Sequence, residues 1–255
     1  MGIPANEFEE LADALRSSAE SSPLVYLPNV GNWGAALTRE ATRSWFRQLG
    51  LRVREIPRLN ATTCFGAAVR RETLVYGGGG AWSDLYPGGR NTVRRALRWF
   101  RRVVVLPSSY GAPIDLPRCQ LWARDRAGSL RHAPAARFCH DLGFLLRDVS
   151  STAPSSPRGE FFRADRLAYA SADEGLDQGP DLSARGSHQS PLQPFLDEIA
   201  RHAEIHTDRV HVAIAACLMG RSCHVYATKT PLLADLFQAS IAPHFPQAVF
   251  HGSRD

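Results

Sequence analysis

The pentapeptide Thr207-Asp208-Arg209-Val210-His211 sets a guanidinium and an imidazole two residues apart, just ahead of an apolar stretch ending in Met219-Gly220. An arginine offers a planar fork for a phosphate or carboxylate. A histidine gives and takes protons near neutral pH. Ala203–His206 reads as a short strand, and Thr207 or Asp208 can cap the helix that follows. Val212, Ala213, Ala215, Ala216, Leu218 and Met219 make that helix apolar all round, which predicts burial, with Gly220 as its stop. Cys223–Tyr226 reads as the next strand. A helix start beside an arginine is an anion site. Residues two apart on a regular helix do not share a face, so Arg209 must lie at the strand–helix junction if it and His211 are to meet one ligand.

Other turns repeat the arrangement. Leu24–Leu27 is a compact apolar strand, followed by Asn29-Val30-Gly31-Asn32-Trp33-Gly34, a helix from Ala35 to Leu49, and a strand over Leu51–Ile56. This is a βαβ unit whose turn faces a ligand site. Thr73–Tyr76 is a further strand running into Gly77-Gly78-Gly79-Gly80, where the backbone turns sharply or lets a ligand approach. No Gly-Lys-Ser/Thr follows, so it is not a P-loop, and the first turn lacks a full dinucleotide fingerprint. Val103–Leu106 and Gln120–Ala123 are strands. Arg124 stands just past a strand end, as Arg209 does. The two either converge on one anion, or Arg124 makes only a surface pair with Asp125.

Strands alternating with helices over 255 residues predict an α/β fold. Ser150–Pro157 reads as a linker, dividing an N-terminal half (1–149) from a C-terminal half (150–255). Within the second half come a strand over Glu160–Arg163, a Gly/Ser/Asp-rich stretch at Ser171–Ser190, and helices over Pro194–His202 and Leu232–Ala239. The five cysteines are odd in number, widely spaced and set in apolar segments, as expected of buried thiols in a cytosolic protein. Asn6–Glu10 is acidic where a signal peptide would need a basic start, and no apolar run reaches membrane-span length. The expected location is cytoplasmic.

Arginine supplies almost all of the positive charge behind a net +5. On a helix over Thr92–Arg102, Val93, Ala96, Leu97 and Phe100 face inward, while Arg90, Arg94, Arg95, Arg98, Arg101 and Arg102 form the opposite face. That face is either simply solvated or a peripheral contact with an anionic membrane or a lipid-linked phosphate. No stacking aromatics interleave it, so nucleic acid is not an expected partner. His202-Ala203-Glu204-Ile205-His206 lacks the H-E-x-x-H order, and no metal site is expected.

Four segments in order resemble the polysaccharide pyruvyl transferase family: Asn29-x-Gly31-Asn32-x-Gly34; Gly77–Gly80 with Asp84-Leu85-Tyr86; Val105–Ser109 with Trp122-Ala123-Arg124-Asp125 and His140-Asp141-Leu142-Gly143-Phe144; and Thr207–His211. They spread over most of residues 24–240. The resemblance implies two Rossmann-like halves with a cleft between them, similar to the GT-B glycosyltransferase architecture. It implies transfer of a pyruvyl group from phosphoenolpyruvate onto two hydroxyls of one sugar, in a precursor of a cell-surface or exopolysaccharide. The acceptor would be free, lipid-linked or nucleotide-linked, and no cofactor is called for. By motif, His211 and Arg209 would be catalytic. Arg124, Arg209, Asp208, Gly31, Asn32, Gly78 and Gly79 would bind the donor; the acceptor residues are unknown. The chain departs from the family at Ala35, where an acid is usual, at Ser108-Ser109, and in a shorter C-terminal half. The competing readings are a nucleotide-sugar glycosyltransferase, with Asp235 or Glu204 gripping ribose, and a non-catalytic relative.

Overall fold

In the computed structural model of the chain, residues 2–149, 153–165, 168 and 181–252 are described. The first half builds one parallel sheet in the order β2 (Val53–Glu55), β1 (Leu24–Leu27), β3 (Thr73–Tyr76), β5 (Arg102–Tyr110), β6 (Cys119–Ala123), β7 (Arg137–Phe138). A two-residue strand, β4 (Ala81–Trp82), pairs with the far end of β5. β1 and β3 are buried at every position, as strands covered on both faces must be. From β1 the chain goes out to β2 at the edge, then returns to β3 on the other side of β1. That reversal opens a crevice at the carboxyl ends of β1 and β3, where α/β sheets bind ligands. Both glycine turns lie there.

The second sheet is also parallel, in the order β11 (Ala248–His251), β10 (Ser222–Tyr226), β9 (His202–Thr207), β8 (Ser156–Phe161). The architecture is thus mixed α/β with two parallel sheets. The helix α2 (Trp33–Gln48) follows β1, and α7 (Val210–Leu218) follows β9. One apolar cluster joins the two sheets, with Leu37, Leu142, Val212, Ile214 and Ile205 all buried in it. A Cβ on Gly143 would touch both Leu37 and Ile214, so α2, α7 and the turn over Leu142–Leu145 are in close contact. This packing sets the N-termini of α2 and α7 side by side.

Several expected bounds shift. α3 (Ala61–Arg70), β4 and β11 go beyond the elements read from the sequence. Glu7–Arg16, which the sequence reads as a short amphipathic helix, lies in a 3-10 turn and the longer α1 (Glu9–Ser21), which ends five residues past Arg16. The arginine-rich helix is α4 (Gly88–Ala96): Arg102 opens β5 instead, and Arg101 donates to the Ser21 carbonyl at 2.9 Å. The continuous arginine face therefore ends with the helix. Positions 171–180 of the Gly/Ser/Asp-rich stretch lie outside the described residues, while Leu182–Arg185 forms a single 3-10 turn. All five cysteines are thiols and four are buried. No helix among the described residues is long and apolar enough to cross a membrane.

Candidate functional site

A cavity of about 610 Å³ opens at the crevice and takes its walls from both sheets. Gly31, Asn32, Gly78, Gly79, Arg124, Arg209 and His211 all line it. Asp208 does not: its Oδ1 accepts the Arg163 amide at 2.7 Å and so fixes the loop after β8. The helix start is tied by Thr207, whose Oγ1 accepts from the Arg209 amide at 3.0 Å while donating to the Phe161 carbonyl at 2.6 Å.

Arg209 is the N-cap residue of α7, with extended φ and ψ of −100° and 117°. It stands at the junction, ahead of the first turn, as sharing a site with His211 requires. Its guanidinium is not free. Nε donates to Asp181 Oδ1 at 3.1 Å, a second nitrogen contacts Asp181 Oδ2, and Nη1 lies 3.1 Å from Asp165 Oδ2. Asp165 also takes a two-point contact from Arg163, at 2.8 and 3.0 Å.

Arg124 does not pair with Asp125. Asp125 instead holds the Ser129 amide and hydroxyl, at 2.7 and 2.5 Å. Arg124 is only 6% exposed; Nη1 donates to Asp141 Oδ2 at 2.6 Å and Nε to Ser109 Oγ at 2.9 Å. Asp141 follows β7 and is fully buried, its Oδ1 accepting the Gly143 amide at 2.8 Å. The same Oδ2 lies 3.5 Å from His211 Nε2. Burial alone would raise the Asp141 carboxyl, but the charges and hydrogen bonds of His211 and Arg124 outweigh it and hold it well below the usual carboxylate range. Asp141 therefore serves as one ionised anchor for both groups.

The hydrogen bonds also choose the imidazole tautomer. Thr38 Oγ1 donates to the Gly34 carbonyl at 3.2 Å and lies 3.0 Å from His211 Nε2, so it accepts an Nε2–H. An ionised Asp141, an acceptor only, asks for the same proton. Nδ1 is then the basic ring atom. It lies against Gly34, in the turn whose Asn32 and Ala35 line the cavity; a Cβ on Gly34 would collide with the ring. Gly79 adopts φ +81°, and a Cβ there would come within 3.8 Å of both Arg124 Nη1 and His211 Cε1. That contact is an ordinary one, so it is the positive φ, not lack of space, that calls for a glycine here. Asn32 caps α2 by accepting the Gly34 amide at 3.0 Å.

Tyr76 donates to Asn29 Oδ1 at 2.9 Å, its own hydroxyl pushed up to about 12 by burial. Beyond it the cavity runs past Trp82 to Leu85 and Tyr86, which are 57% and 39% exposed. Neither ribose-gripping candidate reaches this cavity. Asp235 holds the Gly128 amide at 2.9 Å, and Glu204 lies on the second sheet against His206. Asp141, Thr38, Ser109 and Asp181 are additions to the residues read from the sequence. Asp141 and Ser109 lie in segments that carried a sequence signal, through their motifs; Thr38 and Asp181 had none.

No model of a known protein family matches the chain, and neither does any protein of curated function. The crystal structure of KP1_0663, a functionally uncharacterised protein from Klebsiella pneumoniae subsp. pneumoniae NTUH-K2044, is similar with a TM-score of 0.77 at 19% identity, covering 98% of this chain and 100% of that one. The likeness is one of fold.

Proposed function

We propose that the cavity binds a small phosphorylated carboxylic acid and that the protein is a ketal pyruvyltransferase using phosphoenolpyruvate. The observation that carries this reading is the meeting, in one cavity, of Arg124, Arg209 and His211 with the starts of α2 and α7. Three cavity arginines (Arg124, Arg163, Arg209) face three carboxylates (Asp141, Asp165, Asp181), so the site carries little net charge. Attraction of a donor anion would rest on preorganised N–H groups and the two helix N-termini more than on bulk charge. The two parallel sheets flanking the cavity suit a GT-B-like arrangement.

In the proposed reaction C3 of the enol takes a proton and C2 is attacked by a sugar hydroxyl. Phosphate leaves with the C2–O electron pair, and a second hydroxyl closes the ketal. Of the two hydroxyl protons, one ends on C3 and the other leaves with phosphate. His211 would move these protons through Nδ1, with Asp141 offsetting the charge of its imidazolium form. Arg124 and Arg209 would hold phosphate and carboxylate. The donor fills only part of the cavity, and the acceptor sugar would lie toward Leu85 and Tyr86.

The test is turnover. Purified protein is incubated with phosphoenolpyruvate and a panel of galactosides, glucosides and N-acetylmannosamine conjugates, and phosphate release and product mass are followed. The expected result is an acceptor-dependent release of phosphate with a product heavier by one pyruvyl ketal. Transfer of a glycosyl group from a nucleotide sugar in its place would overturn the proposal.

A further inference from the structure

Among the described residues, helices pack on one face of the second sheet. Ile205, Cys223 and Val225 point into the core and are fully buried. Alternate residues of a strand point the other way, so Glu204 and His206 of β9 and His224 and Tyr226 of β10 share the opposite face, with His206 directly beside His224 in the register. His206 and His224 stack with centroids 4.5 Å apart, and His251 of β11 stacks on His224 at 5.2 Å. Parallel sheets are ordinarily apolar on both faces. This one carries imidazoles and a carboxylate instead.

The ring orientations point to a ligand. His206 Nε2 lies 2.5 Å from Glu204 Oε1, and His224 Nε2 lies 3.7 Å from Glu204 Oε2. The other nitrogen of each ring is held from behind. His206 Nδ1 lies 2.9 Å from the Tyr226 hydroxyl, and His224 Nδ1 lies 2.9 Å from His251 Nε2. The 2.5 Å contact implies an Nε2–H on His206 donating to Glu204. An ion seated beside the carboxylate would displace it, the proton passing to Nδ1, where the Tyr226 hydroxyl and the His251 ring can accept it and free both Nε2 lone pairs for the ion. An outer partner on one ring nitrogen, with the other nitrogen directed at a shared point, is how metal-bound histidines are oriented.

The geometry points to a divalent cation site formed by Glu204, His206 and His224, separate from the cavity and independent of the pyruvyltransferase reading. The three ligand atoms lie within 4.8 Å of one another. Tetrahedral bonds of about 2.0–2.1 Å set ligand atoms about 3.3 Å apart, a small adjustment from these positions. Two imidazoles and one carboxylate suit Zn²⁺ among the available divalent ions, with water completing the shell. The nearest positive charge, Arg158, lies 3.5 Å from His206 Nδ1 and is neutralised by Glu160 at 2.7 Å. Such an ion would cross-link β9 to β10 on the face that no helix of the described residues covers.

The test uses the full chain stripped with a chelator, titrated calorimetrically with Zn²⁺ and optically with Co²⁺. One ion per chain is expected, with tetrahedral Co²⁺ bands and a metal-dependent rise in melting temperature. His224→Asn and Glu204→Gln should each weaken binding by about 100-fold or more. His251→Asn, which removes only an outer partner, should weaken it by about 10–100-fold. His244→Asn serves as the control. It belongs to a different histidine pair, in which His140 and His244 hold Glu7 at 2.6 and 3.0 Å, and it should bind metal as the wild type does. Should His224→Asn fail to fold, the half-exposed Glu204→Gln carries the same comparison. No saturable uptake by the wild type, or uptake unchanged in the folded ligand variants, overturns the proposal.

Discussion

Asp141→Asn is expected to cost about 3–5 kcal/mol of stability, the usual penalty for removing one partner of a buried ion pair. In melting temperature this is on the order of 10 °C for a chain of this size. The asparagine keeps the shape and can still accept the Gly143 amide. It loses the charge that holds Arg124, which is 6% exposed and whose other side-chain partner among the described residues is the Ser109 hydroxyl. It also sets an amide donor or a weaker acceptor against His211 Nε2. The carboxyl is held far below the usual range, so in the wild type it stays ionised through neutral and mildly acidic pH, and this support fades only in strong acid. Thermal melts of Asp141→Asn, Arg124→Met and the double variant Arg124→Met/Asp141→Leu separate two roles. The double variant should recover most of the lost stability, because no buried charge is left alone, yet bind no donor. A double variant as unstable as the singles would show that the pair is not what holds this region.

Gly34→Ala is expected to leave the fold intact and lower turnover by about 10²-fold. The new Cβ would occupy the space of the His211 ring, with Asn32 Oδ1 3.1 Å away on the other side. The imidazole must therefore rotate, giving up its 3.0 Å contact with Thr38 and its approach to Asp141. Alanine is favoured over glycine in a helix by about 1 kcal/mol, which offsets part of the strain, so melting temperature should move little. Displacing a catalytic group by about 1 Å costs rate, by roughly the factor expected here. Thr38→Val removes the hydroxyl without the collision and should give a smaller loss of the same kind. Wild-type turnover in a folded Gly34→Ala protein would remove His211 from the chemistry.

How much of this was legible in the sequence follows from the range of each interaction. β1 and β3 match the expected strands because a run of four apolar residues (Leu24–Leu27), or of three after a β-branched threonine (Thr73–Tyr76), bounded by turn residues has few other uses. α7 was equally plain, since a helix apolar all round has to be buried and Gly220, at φ +70°, ends it. The place of Arg209 at the junction followed from helical geometry together with the premise that it and His211 share one ligand. Partners distant in the chain were not legible. His211 meets Thr38 across 173 residues, and Arg209 meets Asp181 across 28, so no local pattern announces either. Arg124 illustrates the same limit: its neighbour Asp125 is the obvious partner on paper, but Asp125 is taken by Ser129 and the arginine turns to Asp141. The Glu204–His206–His224 cluster was half visible. A strand brings Glu204 and His206 to one face, but only the β9–β10 register adds His224.

The central claim is that this cavity takes a small phosphate-and-carboxylate donor. Calorimetric titration of the wild-type protein with phosphoenolpyruvate, set beside inorganic phosphate and a uridine diphosphate sugar, tests it most directly. Saturation at one site per chain by phosphoenolpyruvate, weaker binding of phosphate alone, and no saturable heat from the nucleotide sugar are the expected results. Saturable binding of the nucleotide sugar, with none of phosphoenolpyruvate, would contradict it.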